Sequence, residues 1–323
     1  MKWSVAESKR VRWSTGELED VPDDAILVTA GRETCGITKF ATRLSTALYT
    51  LDRKPAAPIA PELVNRIDAS GRKVVVNVEP GVLPPIRALK LARRADRSVV
   101  IMHTIRRGKD DRVLRELREH AYVVAMHPYA EDYVDEVVFH PGTYSSAREV
   151  VTPPRVTGLA VFGLIRPGKG IEAAIKLAAE LGLDVYVRGE VQDPDVAEEL
   201  RRFASLVGVG LELDDRPWSA DDVRSAVRGG FLPVIPSVAT GFSSIWASGT
   251  EADLLGCRVP YLPYPVFGGH NPCAYAIEYG GPSHVTLYTD GVDETARRAA
   301  RWVKKVKPVK WREFAQTVLG MLE

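Results

Sequence analysis

Short apolar runs alternate with longer amphipathic segments along the first half of the chain. The run Ala25–Gly31 predicts a buried strand, and apolar residues then recur at helical spacing from Ile37 to Leu51. Three further β-branched runs occupy 72–81, 98–105 and 121–127, with a charged helical segment at 110–120. Buried strands that alternate with helices predict a parallel, doubly wound sheet.

A second series of the same kind follows residues 143–158, which lack periodicity, contain Pro153 and Pro154, and predict a linker. Strands are predicted at 159–163, 184–190, 210–215 and 232–237, alternating with helices. We therefore predict an α/β protein of two Rossmann-like parallel-sheet domains facing across a cleft, at 1–150 and 151–323. The last helix is free to pack back on the first domain, and Trp3 and Trp13 mark a small predicted hairpin.

Composition narrows the class of protein. The chain has 323 residues, of which 45% are apolar, and a formal net charge of +1, which gives no strong nucleic-acid signal. Three cysteines without CxxC spacing argue against a disulfide framework or a zinc site. Neither a signal-peptide pattern nor a bilayer-length apolar run occurs, so we expect no transmembrane segment and a cytoplasmic protein. Frequent arginine and 22 prolines are compatible with a thermophile.

Several common catalytic and cofactor motifs do not occur in the sequence. It has no GxGxxG or GxxxxGK[ST] loop, so neither a classical dinucleotide fold nor a P-loop is predicted. It also lacks GxSxG, HExxH and any other cluster of metal ligands, and we predict no metal site. Glycines, cations and histidines at the predicted strand ends remain as candidates for chemistry.

The segment after the strand at 159–163 places two cations just before a helix. Gly163, Arg166, Lys169 and Gly170 lie in this turn. A helix N-terminus presents unpaired N–H groups and a positive dipole end, which favours an anion site. The alternative is an exposed basic turn, and spacing alone favours that alternative.

Residues 161–182 resemble the start of the C-terminal domain in GT-B glycosyltransferases of the retaining family 4 type. In that family a strand, a glycine, a basic residue and a Lys-Gly pair lead into a helix. Other resembling segments follow in the family's order: 33–48 its first glycine-rich loop, 98–105 its histidine-bearing strand, 137–144 the end of its N-terminal domain, and 234–262 its Glu-x7-Glu stretch. The order of the segments carries more weight than any one of them.

The resemblance implies a glycosyltransferase that uses a nucleotide-diphosphate sugar, retains the anomeric configuration and needs no metal or further cofactor. The acceptor is unidentified and is expected on the first domain. Fixed cations would stabilise the departing phosphates. The resemblance assigns Arg166, Lys169 and Gly170 to the phosphates, His103 to a sugar hydroxyl, Gly36 and Gly163 to close backbone approach, Ser248, Gly249 and Thr250 to phosphate donors, and Glu251 to the ribose.

Each of these residues also has a structural interpretation. His103 ends an apolar run, where a hydrogen-bonded core histidine is common, and His127 and His140 fit packing roles. Gly36 and Gly163 fit ordinary strand-to-helix turns. Glu251 fits a first-turn glutamate that the helix dipole favours.

The sequence departs from the family pattern in the Glu-x7-Glu stretch. Ser243 lies eight positions before Glu251, and alignment on the Gly-Phe pair instead puts Thr240 and Ser248 at the glutamate positions. At least one acid is missing either way. A catalytically degenerate protein that binds a nucleotide or glycan, or acts as a scaffold, therefore stays open, as does a sugar-nucleotide epimerase.

Residues 262–281 do not align with any segment of the family pattern. Among them, His270 and Asn271 fit either a loop at the cleft or a packed turn.

Overall fold

The structure is a computed structural model, and it describes residues 24–31, 36–52, 56–142, 149–237, 244–265, 271–281, 283 and 285–323. The predicted hairpin around Trp3 and Trp13 lies outside these residues, as do Thr240, Ser243 and His270. The chain divides into two units. The first comprises residues up to Phe139 together with Lys310–Glu323, and the second comprises His140–Val309.

The first unit contains a parallel six-stranded sheet in the order β2-β1-β3-β4-β6-β7. Its strands are β1 (Ile26–Thr29), β2 (Ala56–Ile59), β3 (Lys73–Val78), β4 (Arg97–Met102), β6 (Tyr122–Ala125) and β7 (Glu136–Val137); the short β5 (Thr104–Arg106) lies outside this sheet. Its helices are α1 (Gly36–Asp52), α2 (Pro85–Ala92), α3 (Asp111–Arg118) and α11 (Trp311–Leu322), with a 3-10 turn at Pro128–Tyr133.

The apolar pattern explains how these elements pack. Residues 74–78 of β3 are all buried, as expected for a central strand covered on both faces. The stripe on α1 is buried and includes Phe40 and Leu44. The C-terminal helix α11 packs on α1, where the rings of Phe40 and Phe314 meet edge to face at 5.6 Å.

The second unit contains a parallel five-stranded sheet in the order β10-β9-β8-β11-β13. Its strands are β8 (Gly158–Phe162), β9 (Asp184–Arg188), β10 (Leu211–Asp214), β11 (Phe231–Ser237) and β13 (Leu262–Pro265); the short β12 (Ser244–Trp246) lies outside this sheet. Its helices are α4 (Ile171–Leu181), α5 (Pro194–Leu206), α6 (Ala220–Arg228), α7 (Gly249–Gly256), α8 (Ala274–Glu278), α9 (Val285–Asp290) and α10 (Val292–Lys305).

The order of these five strands has a functional consequence. Counted along the chain it is 3-2-1-4-5, the first five strands of the Rossmann order 3-2-1-4-5-6, with β8 first and β11 fourth. From β8 the chain adds β9 and β10 on one side of the sheet, and it then returns to add β11 and β13 on the other side. In open α/β sheets ligands bind outside the carboxyl ends of the strands at such a switch point, so the loop that leaves β8 lies at the expected position.

The predicted fold class, two Rossmann-like parallel-sheet domains, is confirmed. The division between the units falls at Phe139 and His140, before the predicted residue 150. Much of the predicted linker belongs to the second unit, because Val151 N donates to Arg258 O at 3.0 Å and Val156 N donates to Asp293 Oδ1 at 2.7 Å. Among the described helices, none combines the length and apolar character needed to cross a bilayer.

Candidate functional site

The loop that follows β8 is held by backbone contacts with the neighbouring loop. Gly163 N donates to Arg188 O at 3.1 Å, and Ile165 N donates to Glu190 O at 2.9 Å. Gly163 has a φ of +142°, and a Cβ atom on Gly189 would overlap the carbonyl oxygen of Gly163. Glycine is therefore required at 189 for the two loops to approach this closely.

The two predicted cations occupy different environments in this loop. Arg166 is exposed and Lys169 is half-buried. Gly170 follows with a φ of 73°, a left-handed conformation, and provides no side-chain cap for α4. The first N–H groups of α4 and its positive dipole end therefore lie directly beside Lys169, an arrangement that favours an anion.

A second helix N-terminus approaches the same loop. A Cβ atom on Gly163 would lie 3.9 Å from Thr250 Oγ1, in the first turn of α7. Ser248 caps α7, accepting from Glu251 N at 3.4 Å, and is buried, whereas Thr250 is half-exposed. The structure thus brings Gly163 and Thr250 together, while the Ser248 hydroxyl serves the helix.

Glu251 is enclosed by its own unit and is only 1% exposed. Its Oε1 accepts from Tyr261 OH at 2.5 Å and from Ala276 N at 2.9 Å. Its Oε2 accepts from Tyr275 N at 3.0 Å. The carboxylate therefore caps the N-terminus of α8, and its burial leaves almost no surface for contact with a ribose hydroxyl.

Burial has an electrostatic consequence for Glu251. It raises the pKa of this carboxyl to about 7, against the opposing effect of the Tyr261 hydroxyl and the backbone N–H groups of α8. The carboxyl therefore titrates near neutral pH.

His140 and Tyr275 organise the surroundings of α7. A Cβ atom on Gly249 would lie 3.0 Å from His140 Nε2, so the imidazole covers this glycine. Tyr275 OH donates to His140 O at 3.0 Å and accepts from Val309 N at 2.8 Å. His140 and Val309 are the first and last residues of the second unit, and one hydroxyl joins them.

In the first unit, His103 lies directly after β4 and is half-buried. Its Nε2 lies 3.1 Å from Asn77 Oδ1, and its ring meets Phe40 edge to face at 4.8 Å. Phe40 lies one turn into α1, the helix that begins at Gly36. His103 and the start of α1 are therefore brought to the same edge of the sheet.

The structure shows no steric requirement for glycine at 36, because no described atom lies within 4 Å of a Cβ placed there. The close backbone approach predicted for Gly36 stays a prediction.

Sequence reasoning missed Asn77 and Thr29. Asn77 Nδ2 donates to Thr29 O at 2.6 Å, and Asn77 N donates to Thr29 Oγ1 at 2.7 Å. Asn77 is 1% exposed in a strand whose other buried residues are all valines. A lone amide in such a run is the signal that could have identified it, since buried polar groups need partners.

Arg188 was also missed, although it ends β9 beside the loop after β8. It pairs with Asp222 at 2.9 Å and with Asp214 at 3.5 Å. Its side chain is 14% exposed, so this cation is held by two carboxylates next to the candidate anion site.

The described residues contain no cluster of three or more histidine, cysteine, aspartate or glutamate side chains that could hold a metal ion.

No protein-family model matches the chain, and no curated protein sequence does. The structure is similar to that of AviGT4, a glycosyltransferase involved in avilamycin A biosynthesis, with a TM-score of 0.57 and 14% identity over 93% of this chain and 97% of that one. This likeness supports the fold of GT-B glycosyltransferases. WaaG, a glycosyltransferase involved in lipopolysaccharide biosynthesis, matches with a TM-score of 0.47 and 11% identity over 91% and 95% of the two chains.

Proposed function

We propose that this chain is a glycosyltransferase that moves a sugar from a nucleotide-diphosphate donor to an acceptor, with retention and without a metal. The bond from the anomeric carbon to the diphosphate oxygen breaks, a bond from that carbon to an acceptor atom forms, and the proton that the acceptor loses leaves with the nucleoside diphosphate. Support comes from the fold shared with a known glycosyltransferase and from the site at the switch point of the second sheet.

One observation carries the proposal. The loop 163–170 leaves β8 at the switch point, contains the half-buried Lys169, and lies beside the first turns of both α4 and α7. A diphosphate needs positive potential and N–H donors on more than one side. This loop offers both.

The roles of the two cations follow from their exposure. Lys169 is partly desolvated, so its charge acts on a departing phosphate with less screening than a surface lysine. Arg166 is exposed and contributes when its side chain folds over the bound diphosphate. We expect substitution of Lys169 to cost more affinity than substitution of Arg166.

We assign Thr250 and the backbone of Gly249 to the phosphate side of the donor. The predicted phosphate contact of Ser248 is not retained, because its N–H donates to Pro272 O at 2.8 Å and its hydroxyl accepts from Glu251 N. Glu251 is assigned a different role from the ribose contact predicted by resemblance: it holds α8 in place, because both of its oxygens already accept hydrogen bonds. His103 is assigned to a sugar hydroxyl, as the resemblance implies.

Turnover of donor sugars tests the proposal. The protein is incubated in EDTA with UDP-, GDP-, ADP- and TDP-glucose, and release of nucleoside diphosphate is measured for the wild type and for Lys169→Ala. Lys176→Ala is the matched control, since Lys176 lies on the exposed face of α4. Release by the wild type and the control, but not by Lys169→Ala, is expected.

The configuration of the released or transferred sugar, read by NMR before mutarotation, tests retention. If the folded protein binds a nucleotide yet releases no sugar from any donor with a range of acceptors, the transferase proposal is wrong. A nucleotide-binding protein without turnover then takes its place.

A further inference from the structure

The end of α10 and the residues after it carry a local excess of positive charge. No acidic residue occurs from Thr295 to Val309, and the stretch contains six cations: Arg297, Arg298, Arg301, Lys304, Lys305 and Lys307. The whole chain has a net charge of only +1. Without these six cations the rest of the chain has 37 basic and 42 acidic residues, a formal net charge of −5.

The fold directs these charges outward. Ala296, Ala299, Ala300 and Val303 form the buried side of α10. The opposite side, with the segment after it, presents what we term the cationic face: Arg298, Arg301, Lys304, Lys305 and Lys307. Four of these side chains line a shallow cavity of about 470 Å³ together with Gly280 and Trp302.

Carboxylates neutralise only the first part of this helix. Arg297 and Arg301 each lie 2.8 Å from Glu294, and Arg298 lies 2.7 Å from Asp290. Hydrogen bonds from Arg301 and Arg297 lower the pKa of Glu294 to about 2, so this carboxylate stays charged.

The lysines at the end of the helix are different. Lys304, Lys305 and Lys307 are exposed, and none forms an ion pair with another described residue. Three uncompensated ammonium groups within four positions repel one another. A bound anionic surface would relieve that repulsion.

Aromatic side chains border the cationic face. Trp302 is half-buried, and its Nε1 donates to Tyr279 O at 3.0 Å. Tyr279 is itself 52% exposed. Tyrosine and tryptophan with one apolar and one polar side favour the headgroup region of a bilayer.

We propose that the cationic face docks the protein on a membrane surface that contains anionic phospholipid. Clustered lysines attract a plane of phosphates as point charges and do not need the paired geometry that guanidinium groups offer to a single phosphate. Trp302 packs against Tyr261, and Tyr279 stacks on Tyr275. Single-stranded nucleic acids need open aromatic faces for base stacking, so this border favours a lipid surface. Each exposed lysine contributes roughly a five-fold gain in binding.

Vesicle sedimentation tests this proposal with the full chain. Binding is measured on phosphatidylcholine vesicles with and without phosphatidylglycerol, for the wild type and for the variant Lys304→Gln, Lys305→Gln, Lys307→Gln. Removal of three lysines is expected to weaken binding to the anionic vesicles about 100-fold. Salt near 1 M should also weaken it strongly, because the Debye length falls to about 3 Å.

The matched control is Arg87→Gln, Lys90→Gln, Arg97→Gln, which removes the same charge from exposed positions of the first unit. It should retain vesicle binding, and circular dichroism should show that both variants fold. Three results would overturn the proposal: no binding of the wild type to anionic vesicles, equal loss in the control, or binding to single-stranded DNA without binding to vesicles. Loss of vesicle binding in millimolar inorganic phosphate at constant ionic strength would instead indicate a site for a free anion.

Discussion

His103 Nε2 and Asn77 Oδ1 are joined by a hydrogen bond of 3.1 Å. The side-chain amide of Asn77 is held in one orientation, because its Nδ2 donates to Thr29 O at 2.6 Å. Its Oδ1 can only accept, so His103 must carry its proton on Nε2. The tautomer of His103 is thus fixed by a residue at the end of the neighbouring strand, because the hydrogen bond that one ring nitrogen makes decides which nitrogen carries the proton.

Substitution of Asn77 should change the chemistry of His103. In Asn77→Asp a carboxylate faces the imidazole, and the pKa of His103 should rise because the charged ring gains a negative neighbour. In Asn77→Ala the ring loses its orienting partner, and sugar transfer should fall about ten-fold or more. The imidazole signals of His103 in pH-dependent NMR provide the readout.

The imidazole signals of the exposed His120 provide the internal reference in these spectra. An unchanged His103 titration in Asn77→Asp would show that the two residues are not coupled.

Gly189→Ala should displace the loop after β8. The added methyl group would overlap Gly163 O, and relief of that overlap moves the backbone of the candidate phosphate site. Nucleotide affinity should fall about ten-fold or more, with a loss of roughly 1–3 kcal/mol in the free energy of unfolding.

Gly182→Ala is the control for this variant. Gly182 has a φ of +64° and no described atom within 4 Å of an added Cβ, so alanine there strains the backbone by roughly 1–2 kcal/mol without touching the loop. Equal nucleotide affinity of Gly189→Ala and the wild type would contradict the placement of the site.

Glu251 should make the stability of the second unit depend on pH. Its pKa in the folded protein is raised to about 7, so the folded state binds more protons than the unfolded state between roughly pH 4.5 and 7. The stabilisation that comes from the raised pKa of Glu251 is fully present below pH 4.5 and is lost as the pH rises through 7. Its size is on the order of 3 kcal/mol.

Urea denaturation from pH 5 to 8 measures this effect. Glu251→Gln stays uncharged and should lack the decline seen in the wild type, although it is less stable overall because an amide cannot accept all three hydrogen bonds. Glu278→Gln, at an exposed position on α8, should keep the wild-type slope. Parallel curves for Glu251→Gln and the wild type would contradict the assignment.

Tyr275→Phe should destabilise the second unit through a single hydroxyl. Its removal leaves Val309 N without its acceptor and His140 O without its donor, which costs roughly 1–3 kcal/mol in the free energy of unfolding. Tyr279→Phe alters a residue that is 52% exposed and should stay within about 0.5 kcal/mol of the wild type. Thermal unfolding of both variants decides the point, and equal stabilities would show that the hydroxyl is not structural.

Apolar periodicity predicted the two sheets and most helices, because buried strands and amphipathic helices follow directly from alternation along the chain. The loop 163–170 was also predictable, since glycine and cations before a helix are a local pattern. The environment of Glu251 was not. Its donors Tyr261, Tyr275 and Ala276 come from up to 25 positions away, and two of them are backbone groups that carry no side-chain signal.

The Asn77 network illustrates the same limit. Thr29 and Asn77 are 48 positions apart, and only parallel pairing of β1 with β3 brings them together. The position of the division between the units was equally hidden, because residues 149–157 form backbone contacts with the second unit without forming a helix or strand.

Calorimetric titration with UDP, GDP, ADP and TDP in EDTA tests the central claim most directly. The wild type should bind one of these nucleotides tightly, Lys176→Ala should bind it equally well, and Lys169→Ala should lose at least about ten-fold in affinity because a charge-assisted contact to phosphate is removed. If the folded wild type binds none of them, or if Lys169→Ala binds as tightly as the wild type, the loop after β8 is not the phosphate site.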